Sequence, residues 1–443
     1  MPAQRSGLGL QAGEALVSSP TLERVLKRAW NAPFWRERLA AAGYSVELEA
    51  GAQEAVLGRL HPLAKDDLLA NAPPRSDAML TGPLEAAYVF RTGGTTGEPK
   101  FSVFASAEFQ AMVGGFVTAY RAAGLDPGDR VANVFTVGSL YASFVFVNRC
   151  LEEIGVVNLP YTMSAPPDLV ASQWDLFGLS AVMGFPSHLM KVVRAIGPGR
   201  VEKVFFAGEH LHDEDRRILT EDFGVGLIAS GGYGAVDTGL MGFQCQACAG
   251  SVHHVLTDHA RLDIVDTETL EPVRDGEVGQ VLVTCLDRLL MPVIRYDIGD
   301  RARWIPGPCP CGRPEPRFEL LGRGGDTLRI GYANVAHDEI VRSLGTAAAA
   351  VQLVKERIDG KDLLRIRFEP RWPGPAGALT STPGDPVPVE QLLSRITEAK
   401  PDLARMAASG QIAPIVVEAV SPGDLPRSQL TGKQIKVEDR SLR

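Results

Sequence analysis

The chain has 443 residues, 45% hydrophobic and 22% charged; at roughly one domain per ~150 residues this makes two or three folded units, and the balance excludes general disorder, a collagen-like repeat and a coiled coil. Lys plus Arg number 45 against 53 Asp plus Glu, a net charge of −8, so no positive field draws the protein to nucleic acid or anionic lipid. The N-terminal stretch lacks an apolar run of signal-peptide length and no later segment approaches the ~20 apolar residues that span a bilayer; a cytoplasmic protein with neither nucleic acid nor membrane as partner is expected.

Ser19-Pro20 reads as an N-cap followed by Pro at the first helical position, and Leu22, Val25, Leu26 and Ala29 then recur at helical spacing. A second helix is predicted from about Ala107, with Phe109, Met112, Val113, Phe116 and Tyr120 on one face and Gly124 as its stop. The turn Asp126-Pro127-Gly128-Asp129 launches a predicted strand over 131–135. Strand-length apolar runs at 201–206 and 278–284 then alternate with helical patterns at 166–174 and 187–196. That alternation predicts an α/β fold with a mostly parallel sheet.

After Arg323 the Gly-rich segment GRGGDTLRIGYANV leads into a separate α+β pattern. A large domain over 1–322 and a small, mobile domain over 323–443 are expected. In the small domain, runs at 351–359 and 361–368 flank Asp359-Gly360, a hairpin signal. A Pro/Gly-rich loop over 370–389, a helix over 390–398 and a strand over 412–420 follow.

Thr92, Gly93, Gly94, Thr95, Thr96, Gly97 and Lys100 lie on one segment after a short apolar strand. Glycines let backbone N–H groups approach phosphate oxygens, hydroxyls add donors and Lys100 adds charge, so the segment suits a triphosphate. Its spacing is not G-x4-G-K-[ST], which disfavours a P-loop NTPase, and no G-x-G-x-x-G follows the first strand, which disfavours a Rossmann dehydrogenase.

The string TGGTTGEPK closely resembles the phosphate loop of the adenylate-forming (ANL) ligases, and further motifs of that superfamily follow in order. Gly208-Glu209 stands for its G-E pair after a core strand, Tyr233-Gly234-Ala235-Val236-Asp237 for Y-G-x-[ST]-E, and Arg295 to Asp300 for R-Y-x-T-G-D. Gly322-Arg323-Gly324-Gly325-Asp326 partly matches the hinge motif, and 426–433 the C-terminal P-x4-G-K. Two further stretches, MPVIRYDIGD before CPCGRPEPRFELLGR and APFWRERLAAAG before LHPLAKDDL, resemble the phenylacetate-CoA ligase group.

The resemblance implies a large AMP- and acid-binding domain under a small lid domain, and an ATP-dependent acid–thiol ligase. A carboxylate attacks the α-phosphorus of ATP, pyrophosphate leaves, and the acyl-adenylate passes its acyl group to the thiol of CoA. Lys433 is the implied catalytic residue, supplying positive charge where two anions meet. Asp300 is implied to accept the ribose hydroxyls and Tyr233 to lie against adenine. Ala207, Gly208, Glu209, Gly231, Gly232, Gly234 and Arg323 complete the nucleotide site. Val236 and Asp237 depart from hydroxyl and Glu, and Gly325 from an acidic hinge residue; Asp237 is the implied Mg²⁺ ligand, one methylene shorter.

The acid pocket is expected along 135–144, 184–187 and 230–232, where Tyr141, Phe144, Phe185 and Gly231 suit a flat aromatic acid. They equally suit an ordinary core. Cys245-x2-Cys248-x5-His254 and Cys309-x-Cys311 offer up to five ligands where four suffice for zinc. The resemblance selects Cys248, His254, Cys309 and Cys311 for a structural Zn²⁺, with Cys245 in reserve. Transfer to an amine or carrier-protein thiol, and a nucleotide-binding protein without turnover, remain the alternatives to CoA ligation. The oligomeric state is open, a homodimer included.

Overall fold

A computed structural model describes residues 20–47, 51–92, 100–138, 140–208, 211, 213–323, 327–370 and 388–421, with short stretches at 372–373, 379–382, 385–386, 423–426 and 436–441. Four helices open these residues: α1 (Pro20–Ala29), α2 (Pro33–Ala41), α3 (Gln53–Arg59) and α4 (Lys65–Asn71). The spacing of Leu22, Val25, Leu26 and Ala29 puts all four side chains in the core, so α1 forms by burying one stripe. Trp35 of α2 is fully buried and its indole N–H donates to Pro292 O at 3.0 Å, tying the helices to a distant sheet.

The hairpin β1 (Ala87–Arg91) and β2 (Phe101–Ala105) carries the Gly/Thr-rich segment at its tip. α5 (Ser106–Ala123) follows, buries the expected Phe109, Met112, Val113 and Tyr120, and stops at Gly124 in the left-handed region.

A five-stranded parallel sheet comes next: β3 (Arg130–Asn133), β4 (Val157–Leu159), β5 (Ala181–Gly184), β6 (Lys203–Phe206) and β7 (Leu227–Ser230), in spatial order β4-β3-β5-β6-β7. α5 and α6 (Ser143–Ile154) cover one face, while α7 (Pro167–Gln173) and α8 (Pro186–Ile196) cover the other. The chain winds outward in opposite directions from β3 and from β5. The crevice beyond their C-terminal ends is therefore the topological switch point, where open α/β sheets bind ligands.

The expectation of a mostly parallel sheet is corrected by the larger second sheet, which is antiparallel. It contains β8 (Tyr233–Ala235), β9 (Gly239–Phe243), β10 (Val252–Val255), β11 (Ala260–Val265), β12 (Val278–Cys285), β13 (Tyr296–Ile305) and β14 (Arg317–Arg323), ordered β11-β12-β13-β14-β10-β9-β8. The apolar run at 278–284 reads as parallel because it is buried along most of its length. Its burial comes from the helical cover of α1 to α4, not from crossover helices.

Residues beyond 327 build a separate core around Leu328, Ile340, Leu353, Ile366 and Leu403. β15 (Thr327–Ile330) pairs with β16 (Ala333–Ala336), and β17 (Ala348–Ile358) pairs with β18 (Lys361–Pro370) across the expected Asp359-Gly360 turn. Both turn residues have positive φ, 50° and 73°, the conformation of a type I′ hairpin. The predicted helix over 390–398 is present as Val389–Ala399, and the late strand is shortened to Val416–Ala419. No helix among the described residues is long and apolar enough to cross a membrane.

Candidate active site

The described residues of the motifs expected to bind nucleotide meet where the two sheets join. Ala207 and Gly208 follow the end of β6, and Gly208 has φ +79°. A Cβ there would lie 2.4 Å from the Phe185 ring, so the backbone approaches closely only because this residue is glycine. Gly231 and Gly232 connect the two sheets, and the Gly231 N–H donates to Phe206 O at 2.6 Å. Tyr233 and Gly234 then start β8. The Tyr233 hydroxyl donates to Asp300 Oδ2 at 2.7 Å, and both side chains are buried.

Asp300 on β13 lies opposite Arg323 of β14 in register, so the hinge motif begins beside the carboxylate implied to hold the ribose. Tyr233 and Asp300 stand 67 positions apart in sequence, yet the antiparallel sheet brings them to one rim.

Thr92 and Lys100 close the base of the phosphate segment. The Thr92 N–H donates to Lys100 O at 2.9 Å and the Lys100 N–H to Thr92 Oγ1 at 3.2 Å. Gly93, Gly94, Thr95, Thr96, Gly97, Glu209, Gly325 and Lys433 lie outside the described residues, as does the side chain of Arg323.

Asp237 departs from its expected role. Its side chain is 5% exposed; Oδ2 accepts hydrogen bonds from the Lys100 ammonium and, at 3.3 Å, from the Tyr296 hydroxyl, while Oδ1 accepts one from Ser102 at 3.0 Å. The buried Arg288 guanidinium donates to the Asp237 carbonyl. Burial raises the carboxyl pKa, but Lys100, Ser102 and Arg288 outweigh it and hold the group below its ordinary value. A divalent cation would have to displace an ammonium from the same oxygen, so this donor set does not fit Mg²⁺. Ser102, Tyr296 and Arg288 escape the sequence reading, although a charge inside the apolar run CLDRLLMPV and a tyrosine inside the R-Y motif mark two of them.

The expected acid pocket forms an aromatic cluster at the switch point. Phe185 follows β5 and meets Phe135, which follows β3, edge-on at 5.3 Å. Tyr141 and Tyr332 flank Phe185 at 6.3 and 6.4 Å. Phe144 and Tyr141 are half-buried against the same core. Tyr332 comes from the turn between β15 and β16 and carries no motif signal.

Cys245, Cys248, His254 and Cys309 place their ligand atoms within 4.8 Å of one another. The Cys245 sulfur lies 3.6 Å from Cys248 and 3.7 Å from Cys309. Zinc–sulfur bonds of ~2.3 Å give a tetrahedral edge of about 3.8 Å, so the spacing suits zinc. Glu315 O sits 3.1 Å from His254 Nδ1 and accepts its proton, leaving Nε2 for the metal. Burial lowers the His254 pKa and favours the neutral ring a ligand needs. Cys245 thus takes the place expected for Cys311, which is exposed and stands 3.6 Å from His254 Nε2. The backbone after β9 turns Cys245 inward, a fact invisible to spacing alone.

A profile of the AMP-binding enzyme family matches residues 39–285. Among curated proteins, the phenylacetate-coenzyme A ligase of Thermus thermophilus is 25% identical over 430 residues, 92% of each chain. The ligase of the same name from Pseudomonas putida is 26% identical over 338 residues, 72% of this chain and 73% of its own. Among solved structures, a 2-hydroxyisobutyryl-CoA ligase with its acyl-AMP and CoA superposes with TM-score 0.72 at 24% identity, covering 95% of this chain and 88% of that one. The chain belongs to the AMP-binding enzyme family, the adenylate-forming ligases, in its phenylacetate-CoA ligase-like group.

Proposed function

We propose that this AMP-forming acid–thiol ligase activates an aromatic carboxylic acid and transfers it to CoA. The observation that carries the reading is the contact between Gly208 and Phe185, which sets the nucleotide wall directly against the aromatic cluster. An acid whose ring lies among Phe135, Tyr141 and Phe185 then points its carboxylate toward the α-phosphate. Aromatic contacts of this kind add about 0.5–1.5 kcal/mol each beyond burial.

In the first step a carboxylate oxygen forms a bond to the α-phosphorus and the bond to the bridging oxygen breaks, releasing pyrophosphate. Tyr233 orients Asp300, which accepts the ribose hydroxyls, while Lys433 meets the developing negative charge. In the second step the CoA thiolate attacks the acyl carbon and AMP leaves. Mg²⁺ accompanying the triphosphate would screen its charge. Cys245, Cys248, His254 and Cys309 would hold a structural zinc, a four-ligand set leaving no open position for chemistry.

An amine acceptor is the second reading, favoured by a relative named indoleacetate–lysine synthetase from Pseudomonas savastanoi, 25% identical over 186 residues. The test is a panel of aryl, arylacetic, short 2-hydroxy and fatty acids incubated with ATP and CoA, with acyl-CoA identified by mass spectrometry. Aryl or arylacetyl-CoA is the expected product. Acyl-CoA formed only from short 2-hydroxy or fatty acids would refute the aromatic assignment, and adenylate that persists until an amine is added would favour the second reading.

A further inference from the structure

The segment implied to cradle the triphosphate ends at Lys100, whose ammonium meets Asp237 and Tyr296 inside the protein. Its backbone is fixed to Thr92 by two hydrogen bonds, and its side chain is largely buried. There Lys100 donates to Asp237 and, at 2.7 Å, to the Tyr296 hydroxyl. Tyr296 donates in turn to Asp237, and Ser102, two residues beyond Lys100, bonds the other carboxylate oxygen.

Each partner comes from a different element. Lys100 stands immediately before β2 and Ser102 lies on it, Asp237 belongs to the turn between β8 and β9, and Tyr296 to the start of β13. Arg288 spans the remaining gap: Nη2 donates to Val103 O at 2.8 Å, Nη1 donates to the Asp237 carbonyl, and the guanidinium lies 4.1 Å from the Phe104 ring centroid. The carboxylate side chain is 5% exposed and the ammonium 11%, so solvent screens the pair weakly. Both carboxylate oxygens are engaged, and one of them already faces the Lys100 ammonium.

We propose that Lys100 and Asp237 act as one buried ion pair that anchors the closing end of the nucleotide loop, with Asp237 a positioning residue and not a ligand of the metal that accompanies ATP. The inference rests on the ligase reading for its kinetic arm and on geometry alone for its stability arm. Removing either partner leaves the other charged and buried without its ion-pair partner, whereas removing both by residues of similar size leaves no such charge.

The stability arm is a double-mutant cycle on thermal melting of the full chain with Lys100→Met and Asp237→Leu. Each single change lowers the melting temperature, and the double variant recovers most of the loss. Additive losses, or a double variant no more stable than the worse single, would overturn the pair. The kinetic arm measures pyrophosphate release while free Mg²⁺ and ATP are varied separately, for Asp237→Asn, Lys100→Met and the double variant. Both single changes raise KM for ATP by about tenfold in parallel, and the Mg²⁺ half-saturation stays within about twofold of the unaltered protein. A rise of about tenfold or more in half-saturating Mg²⁺ in Asp237→Asn or the double variant, relieved by Mn²⁺, would make Asp237 a metal ligand and overturn the proposal. If the unaltered protein releases no pyrophosphate with any acid, the ligase reading fails, and the melting cycle still decides the pair.

Discussion

His188 and His253 are both 5% exposed, and burial pushes each imidazole down to about 4. An unfolded histidine titrates near ~6.5, so the folded state is favoured fully above that pH and loses stability as pH falls from about 6.5 to about 4. The two together contribute several kcal/mol, on the order of 3 kcal/mol each. Melting temperature is therefore predicted to fall steeply across that window, and His188→Asn to flatten part of the slope; an unchanged slope in the variant would assign the transition elsewhere. Asp237 acts in a lower window, since a carboxyl held below its ordinary value loses its contribution only as pH drops below about 4. At the same scale, Tyr233→Phe removes the hydroxyl that donates to Asp300 and is predicted to raise KM for ATP about tenfold, at about 1–2 kcal/mol for one charged hydrogen bond. An unchanged KM would separate Asp300 from the ribose. Asp300 and Tyr233 were legible because each sits in a contiguous motif. The Lys100 partnership was not, because its bonds span 137 and 196 positions and a motif records only local spacing.

At the scale of elements, the alternation of apolar runs correctly points to strands and helices, but pairing direction is not written in a buried strand. Residues 201–206 yield β6 in the parallel sheet, whereas 278–284 yield β12 in the antiparallel one, and both are continuous apolar runs. The β5–α8 and β6 ends illustrate what the crossing of elements requires. Gly208→Ala would put a methyl into the Phe185 ring and force a strained φ, so a loss of about 1–3 kcal/mol and a weakened response to aromatic acids are predicted. Equal stability and unchanged acid KM would show that the two elements do not share a wall. The cysteine cluster is likewise an element-level feature, joining the end of β9, β10 and the loop before β14. Metal analysis is expected to give about one zinc per chain. Cys245→Ser and Cys309→Ser should release it and lower the melting temperature, while Cys311→Ser should retain it. Retention in Cys245→Ser with loss in Cys311→Ser would reverse the assignment.

For the whole molecule, the switch-point crevice lies between the large body and the core built beyond residue 327. Tyr332 touches the aromatic cluster at Phe185, Arg329 donates to Gly208 O, and Arg357 pairs with Asp215. We propose that these two bodies, divided near 322–323, form a catalytic domain and a lid that carries Lys433. The order of the motifs along the chain is what suggests this organisation. Tyr332 and the paired arginines were hidden because contacts between bodies have no compact sequence signature.

The central claim is that the chain activates a carboxylate through its adenylate and hands the acyl group to CoA. The measurement that tests it most directly is pyrophosphate release from ATP with an aromatic acid, with and without CoA, alongside Lys433→Ala. The expected result is acid-dependent release that CoA accelerates, and a fall of about a hundredfold or more in Lys433→Ala, while a supplied acyl-adenylate is still transferred to CoA. ATP bound tightly by the unaltered protein, with no pyrophosphate released for any acid in the panel, would contradict it.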